Sequence, residues 1–122
     1  MIYIWKANIF QEPCILWYYL WNKGKRVYRK GKKIDPNNPE VYLAEGRNYL
    51  FAPGFAGGSK KKAILSFKKA IEIFPNYHWS YLWLGQAYLV IGEKDKAMEQ
   101  FKKALNLCPI NSWAKYEIER LK

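Results

Sequence analysis

The sequence is poor in the residues that usually carry chemistry. It has one histidine, His78, and two cysteines, Cys14 and Cys108, with no Cys-x-x-Cys pair. A zinc site takes about four ligands of these kinds, so no metal site is expected, and no cofactor is implied. The cysteines read as two buried thiols of a reducing compartment. A Cys14–Cys108 bridge would require the chain ends to meet, which the repeat pattern below argues against. Long apolar runs are also missing. Ile15–Trp21 is far short of the roughly 20 residues that span a bilayer. Gln11, Glu12 and Pro13 interrupt the apolar N-terminus, and no small-residue cleavage site follows, so it does not read as a signal peptide. The expectation is a soluble, cytoplasmic protein. Acidic residues are scarce as well: 10 against 21 lysines and arginines, for a formal charge of +11. An excess of this size favours anionic partners without choosing among them.

What is present is enough to fold. Half of the 122 residues are apolar and 18% are aromatic, which suits one domain with one core. The apolar residues repeat. Ala63, Phe67, Ala70, Ile73 and Pro75 are followed 34 residues later by Ala97, Phe101, Ala104, Leu107 and Pro109. Gly24, Tyr28, Gly31, Ile34 and Pro36 have the same internal spacing. Small residues allow close helix contact, and large apolar ones three or four apart make a buried stripe. Proline ends each helix. Partner helices precede the later copies, in Tyr42-x3-Gly46-x2-Tyr49 and Tyr81-x2-Leu84-Gly85-x2-Tyr88.

This pattern resembles the tetratricopeptide repeat, with Tyr81 in place of the usual tryptophan. The resemblance implies an all-α fold of helical hairpins, an α-solenoid of about three repeats plus a closing helix. Residues 1–36 form an imperfect first repeat, 37–75 a second with an enlarged turn at 52–59, 76–109 the best match, and 110–122 the closing helix. Only the second helix of the first repeat matches, because Pro13 breaks the segment where its first helix would run.

The stretch FAPGFAGGSKKKA is that enlarged turn. A phosphate-binding loop reads Gly-x4-Gly-Lys-Ser/Thr between a strand and a helix. Here the serine precedes the lysines and no strand is predicted. Ser59 is placed to cap the following helix. Lys60 and Lys61 beside that helix start are candidate anion contacts. The combination of turn and helix also resembles tetratricopeptide partners of TRAP-type periplasmic transporters, which would imply an apolar groove able to hold a small organic ligand. Those partners are exported, and no export signal is visible here.

No nucleophile, base and orienting group stand together in the sequence. His78 at a helix start reads as a turn or surface residue, and the protein is expected not to be an enzyme. Binding is better supported. In tetratricopeptide folds the first helix of each pair lines a concave groove. Subtracting the residues that pack the repeat leaves Glu40, Leu43, Arg47, Leu50 and Phe51 on one such helix. It leaves Trp79, Leu82, Trp83, Gln86 and Leu89 on the next, and Trp113, Tyr116 and Arg120 on the last. Tetratricopeptide domains that grip chaperone C-termini line this face with lysine, asparagine and arginine. Trp79 and Trp83 on the matching face argue against such a clamp. The expected function is a protein-interaction scaffold holding an apolar segment of another protein or peptide. A small apolar ligand in the same groove is an alternative, and packing of the tryptophans within the fold or in a homo-oligomer is another. The cations of the helix around 23–33, including Lys25, Arg26, Arg29 and Lys30, offer a third surface, for an acidic protein or for a peripheral membrane contact. Nucleic acid is disfavoured, because the aromatics are not interleaved with the lysines as a stacking platform requires.

Overall fold

The computed structural model describes residues 13–122, with side chains from Asn22 onward except at Ala56. Six α-helices and one 3-10 turn make up the described chain: α1 (Pro13–Ile34), α2 (Pro39–Phe51), the 3-10 turn Gly54–Ala56, α3 (Lys60–Ile73), α4 (His78–Val90), α5 (Lys94–Leu107) and α6 (Ser112–Leu121). The fold is an all-α helical repeat. Residues 1–12, where a first helix of the first repeat would lie, fall outside the described residues. Pro13 is the first described residue of α1; proline is tolerated in a first helical turn, where its missing N–H has no partner to lose.

The helix starts follow capping chemistry. Asn38 Oδ1 accepts from the Glu40 N–H at 3.0 Å, with Pro39 as the first helical residue. Ser59 Oγ accepts from the Lys62 N–H at 3.2 Å. Asn111 Oδ1 accepts from the Ala114 N–H at 3.1 Å. Each satisfies one of the donors a helix start leaves free. The enlarged connection after α2 closes through Gly57, whose φ of 93° is left-handed and strains any residue with a Cβ. It returns the chain so that the Ser59 N–H reaches the Tyr49 carbonyl at 2.9 Å.

Two phenylalanines set the spacing of the helix pairs. Phe67 of α3 and Phe101 of α5 are completely buried. Their rings press closely on glycines of the preceding helix. A Cβ at Gly46 would stand 2.4 Å from Phe67 Cε1, and one at Gly85 would stand 2.6 Å from Phe101 Cε1. The glycines therefore let each helix pair close over a whole ring. Burying such a ring contributes about 2–3 kcal/mol. Ala63, Ala70, Ala97 and Ala104 complete the seams with no exposed surface.

The helices form two layers. Neighbours in sequence pack on one another throughout, and α2 also packs against α4. Trp79 and Trp83 of α4 touch Trp113 of α6. No comparable packing joins α1, α3 and α5. Helices that approach one another lie on the inner side of a curved stack, so α2, α4 and α6 are the inner layer and α1, α3 and α5 the outer. Helix α4 sits in the middle and carries no lysine, arginine or carboxylate, as expected for a helix covered on most sides.

Candidate functional site

The inner layer presents a row of aromatic side chains running across three helices. At one end Phe51 of α2 meets Trp83 of α4 edge to face, with ring centroids 6.0 Å apart. Trp83 meets Trp113 of α6 in the same way at 5.2 Å and lies over Phe67 of the core at 6.3 Å. Trp113 also meets Trp79 at 6.4 Å, and Trp79 carries the His78 ring at 4.7 Å. These are the offset and edge-on arrangements that aromatic quadrupoles favour. The guanidinium of Arg47 lies 5.2 Å from the Trp83 ring centre, a cation–π distance.

The row is partly structural and partly open. Trp79 and Trp83 are half-buried, so their rings both pack the fold and line its surface. Phe51 is 52% exposed, Trp113 39% and Tyr116 62%. These three leave large apolar surface in water on one layer. Leu43 and Leu82 have to be removed from the groove assignment: both are completely buried, and Leu50 is nearly so. They fall on the first helices as expected, but a helix between two neighbours buries more than one stripe. Gln86 is half-buried, and its Nε2 has no hydrogen-bond partner among the described residues.

The polar groups of the row are held in place. Arg47 lies 4.0 Å from the Glu40 carboxylate. The Tyr77 hydroxyl donates to Glu40 as well. Burial, then this bond to a carboxylate, pushes the Tyr77 hydroxyl up to about 12. On α6 the Glu117 carboxylate is buried. It accepts from Arg120 at 2.6 Å and from Trp113 Nε1 at 3.4 Å. The Arg120 head is thus anchored beside Trp113 while its side chain remains 52% exposed. A cleft of about 550 Å³ adjoins the Phe51 end, lined by Lys23, Val27, Ala44, Arg47, Asn48 and Phe51.

His78 stands at the start of α4, the helix start the sequence places it at, and is half-buried. Its Nδ1 accepts a hydrogen bond of 2.9 Å from Asn111 Nδ2, whose Oδ1 caps α6. Burial holds the imidazole below its ordinary pKa. The joint between α4 and α6 was not legible as a pair in the sequence. Asn111 could have been found as a cap, but its contact with His78 spans two elements. His78 spends this nitrogen on an amide, not on a hydroxyl or thiol that it could activate. Among the described residues, no three of histidine, cysteine, aspartate and glutamate gather as metal ligands. Cys108 is a half-buried thiol, and the Cys14 side chain lies outside the described residues.

The remaining candidate residues lie away from the row. Lys60 and Lys61 are exposed at the start of α3, while Lys62 Nζ lies 5.6 Å over the Tyr49 ring. Lys25, Arg26, Arg29 and Lys30 border a second cleft, of about 670 Å³, with Asn22 and Lys33. None of the described helices is long and apolar enough to cross a membrane.

Comparison with known proteins agrees with this geometry. Residues 66–99 match the family model of the tetratricopeptide repeat. A search of curated proteins gives no match. Among solved structures, the Arabidopsis OM64 TPR domain superposes with a TM-score of 0.72 at 26% identity, over 85% of this chain and 82% of that one. The first TPR domain of Spaghetti (RPAP3), solved with an HSP90 peptide of sequence SRMEEVD, gives 0.65 at 21% identity over 88% of each chain. A MamA protein gives 0.62 at 27% identity, over 90% of this chain and 62% of that one.

Proposed function

We propose, for a chain that is a tetratricopeptide-repeat protein in sequence motif and fold, that its inner layer holds a segment of a partner protein. The fold is one generally used as a non-catalytic interaction module, which supports a scaffold. The observation that carries the finer reading is the aromatic row. Phe51, Trp113 and Tyr116 remain exposed on one layer although nearby core positions are fully covered. Contiguous exposed apolar surface of this kind marks interaction sites, and aromatic and arginine side chains are the usual anchors.

Phe51 and Trp113 would receive apolar side chains of the segment, with Trp83 as the floor between them. Arg47 and Arg120 would hold backbone carbonyls or a carboxylate, since each guanidinium is already fixed by a carboxylate of its own helix and loses little further freedom on binding. The Spaghetti domain holds its peptide within the same fold. Here the tryptophans make an apolar segment the better fit.

Panning a random peptide library on the purified protein tests the reading. Wild-type protein should enrich sequences with one or two large apolar residues. The double variant Trp113→Ala, Tyr116→Ala should lose them, with a fall in affinity of roughly 30-fold or more if the two behave as anchors. Peptides held equally by both proteins would place binding elsewhere. Enrichment of a small apolar molecule in native mass spectra, with no peptide selected, would make the groove a ligand carrier.

A further inference from the structure

The charge of this protein is divided between its two layers. Helix α1 carries seven cations and no carboxylate. Helix α3 carries five lysines against Glu72, and α5 four lysines against Asp95 and Glu99. The inner helices α2, α4 and α6 together carry three cations and four carboxylates. The whole positive excess of the described helices therefore lies on the outer layer, and the inner layer is close to neutral. Most cations of the outer helices face solvent; Lys25 and Lys32 of α1 are half-buried, and Lys32 is paired with Glu45. Arg26, Arg29, Lys30, Lys33 and Lys68 are exposed and make no ion pair among the described residues.

An exposed aliphatic side chain stands among these cations: Leu65 lies on α3 between Lys61 and Lys68 and is 63% exposed. Val27 of α1 is exposed as well, but it lines the cleft beside Phe51 and Arg47 and belongs to the other side. The aromatics of the outer helices described at side-chain level, Tyr28, Phe67 and Phe101, are all buried.

We infer that the outer layer, centred on α1 and α3, docks on an anionic phospholipid surface. Three features select this occupant. A predominantly positive face over several helices matches an extended surface of opposite charge, where each lysine or arginine near the headgroups adds to attraction. The aliphatic Leu65 has no role on a polyanion in water, but it can enter the interface between headgroups and acyl chains. Among the side chains described on this layer no aromatic is exposed, so these residues offer no stacking surface of the kind that single-stranded nucleic acid uses. Arg26, Arg29, Lys30, Leu65 and Lys68 stand outside the cleft that adjoins the aromatic row, so the protein can hold a partner segment on one layer while the other rests on the membrane.

Vesicle co-sedimentation tests this with the intact chain. Vesicles of phosphatidylcholine containing about one-third phosphatidylserine should carry the protein down at low salt and release it at high salt, and pure phosphatidylcholine vesicles should not bind it. Arg29→Glu with Lys68→Glu should weaken binding at least roughly 25-fold, about fivefold for each cation removed. Lys115→Glu with Lys122→Glu makes the same change in net charge off this layer and should leave binding nearly unaltered. Leu65→Ser should weaken it several-fold with no change of charge. All five positions are exposed, and a circular dichroism spectrum checks that each variant folds. The proposal is overturned if anionic vesicles do not bind the wild type. It is overturned equally if both charge pairs lower binding alike, if Leu65→Ser has no effect, or if duplex DNA of equal charge concentration is held more tightly than the vesicles.

Discussion

Gly85→Ala isolates the close approach on which the central helix pair is built. In an ordinary helix interior this change adds about 1 kcal/mol of stability, because alanine loses less backbone freedom on folding than glycine does. At Gly85 the new Cβ would stand 2.6 Å from Phe101 Cε1 and 2.8 Å from Cδ1, roughly 1 Å inside normal carbon contact. Phe101 has no exposed surface, so its ring cannot swing out into water. Overpacking of this kind costs about 1–3 kcal/mol. After the helix gain is subtracted, the variant should be less stable by up to about 2 kcal/mol, a fall in Tm of up to roughly 8 °C. Urea unfolding followed by far-ultraviolet circular dichroism measures the difference. Repeating the change in a Phe101→Leu background removes the ring, and Gly85→Ala should then be neutral or stabilising. Gly54→Ala is the control, since no atom lies within 4 Å of its Cβ position, and it should cost little. If Gly85→Ala stabilises the protein with Phe101 intact, the ring yields freely, and the glycine–phenylalanine contact does not set the helix spacing.

Three further outcomes are expected. Glu45 is mostly buried and accepts from Ser66 Oγ at 2.7 Å and from Lys32, tying α1, α2 and α3 together. Glu45→Ala should cost about 1–2 kcal/mol in urea unfolding, discounted because Lys32 remains partly solvated, and Glu45→Gln, which keeps the serine bond, should cost less. Asn111→Ala removes both the cap of α6 and the bond to His78, so it should lower stability by about 1–2 kcal/mol and speed amide hydrogen exchange in α6 before the other helices. Burial depresses the pKa of His78, which means the folded state favours the neutral ring. The stability that depends on the neutral ring is complete above the ordinary value near 6.5 and is lost as pH falls through the depressed one. Between pH 8 and 5, wild-type Tm should therefore fall more than that of a His78→Gln variant, and equal falls would show that the imidazole is not held neutral.

Much of the architecture was legible because the repeat places one residue type at one period. Gly46 and Gly85 precede Phe67 and Phe101 by comparable distances, and a ring that lies on a glycine leaves the same signature each time it recurs. The Ser59 cap was legible because it acts within three residues of itself; Asn38 and Asn111 act over the same short range, but their caps were read only from the structure. The groove assignment was half legible. Trp83, Trp113 and Arg47 are on the inner layer, but Leu43 and Leu82 are fully covered. Helical periodicity gives the direction in which a side chain leaves its own helix. It cannot say whether another helix already stands there.

The sequence alone determined the helices, their order, their ends and the excess of positive charge, since each depends on residues within a few turns or on composition. Only the tertiary structure decided which layer that charge occupies and which aromatics stay open. It also decided that His78 reaches Asn111 across 33 residues. Stacking the helices puts residues distant in sequence at contact distance, and burial is a property of those contacts, not of any one helix.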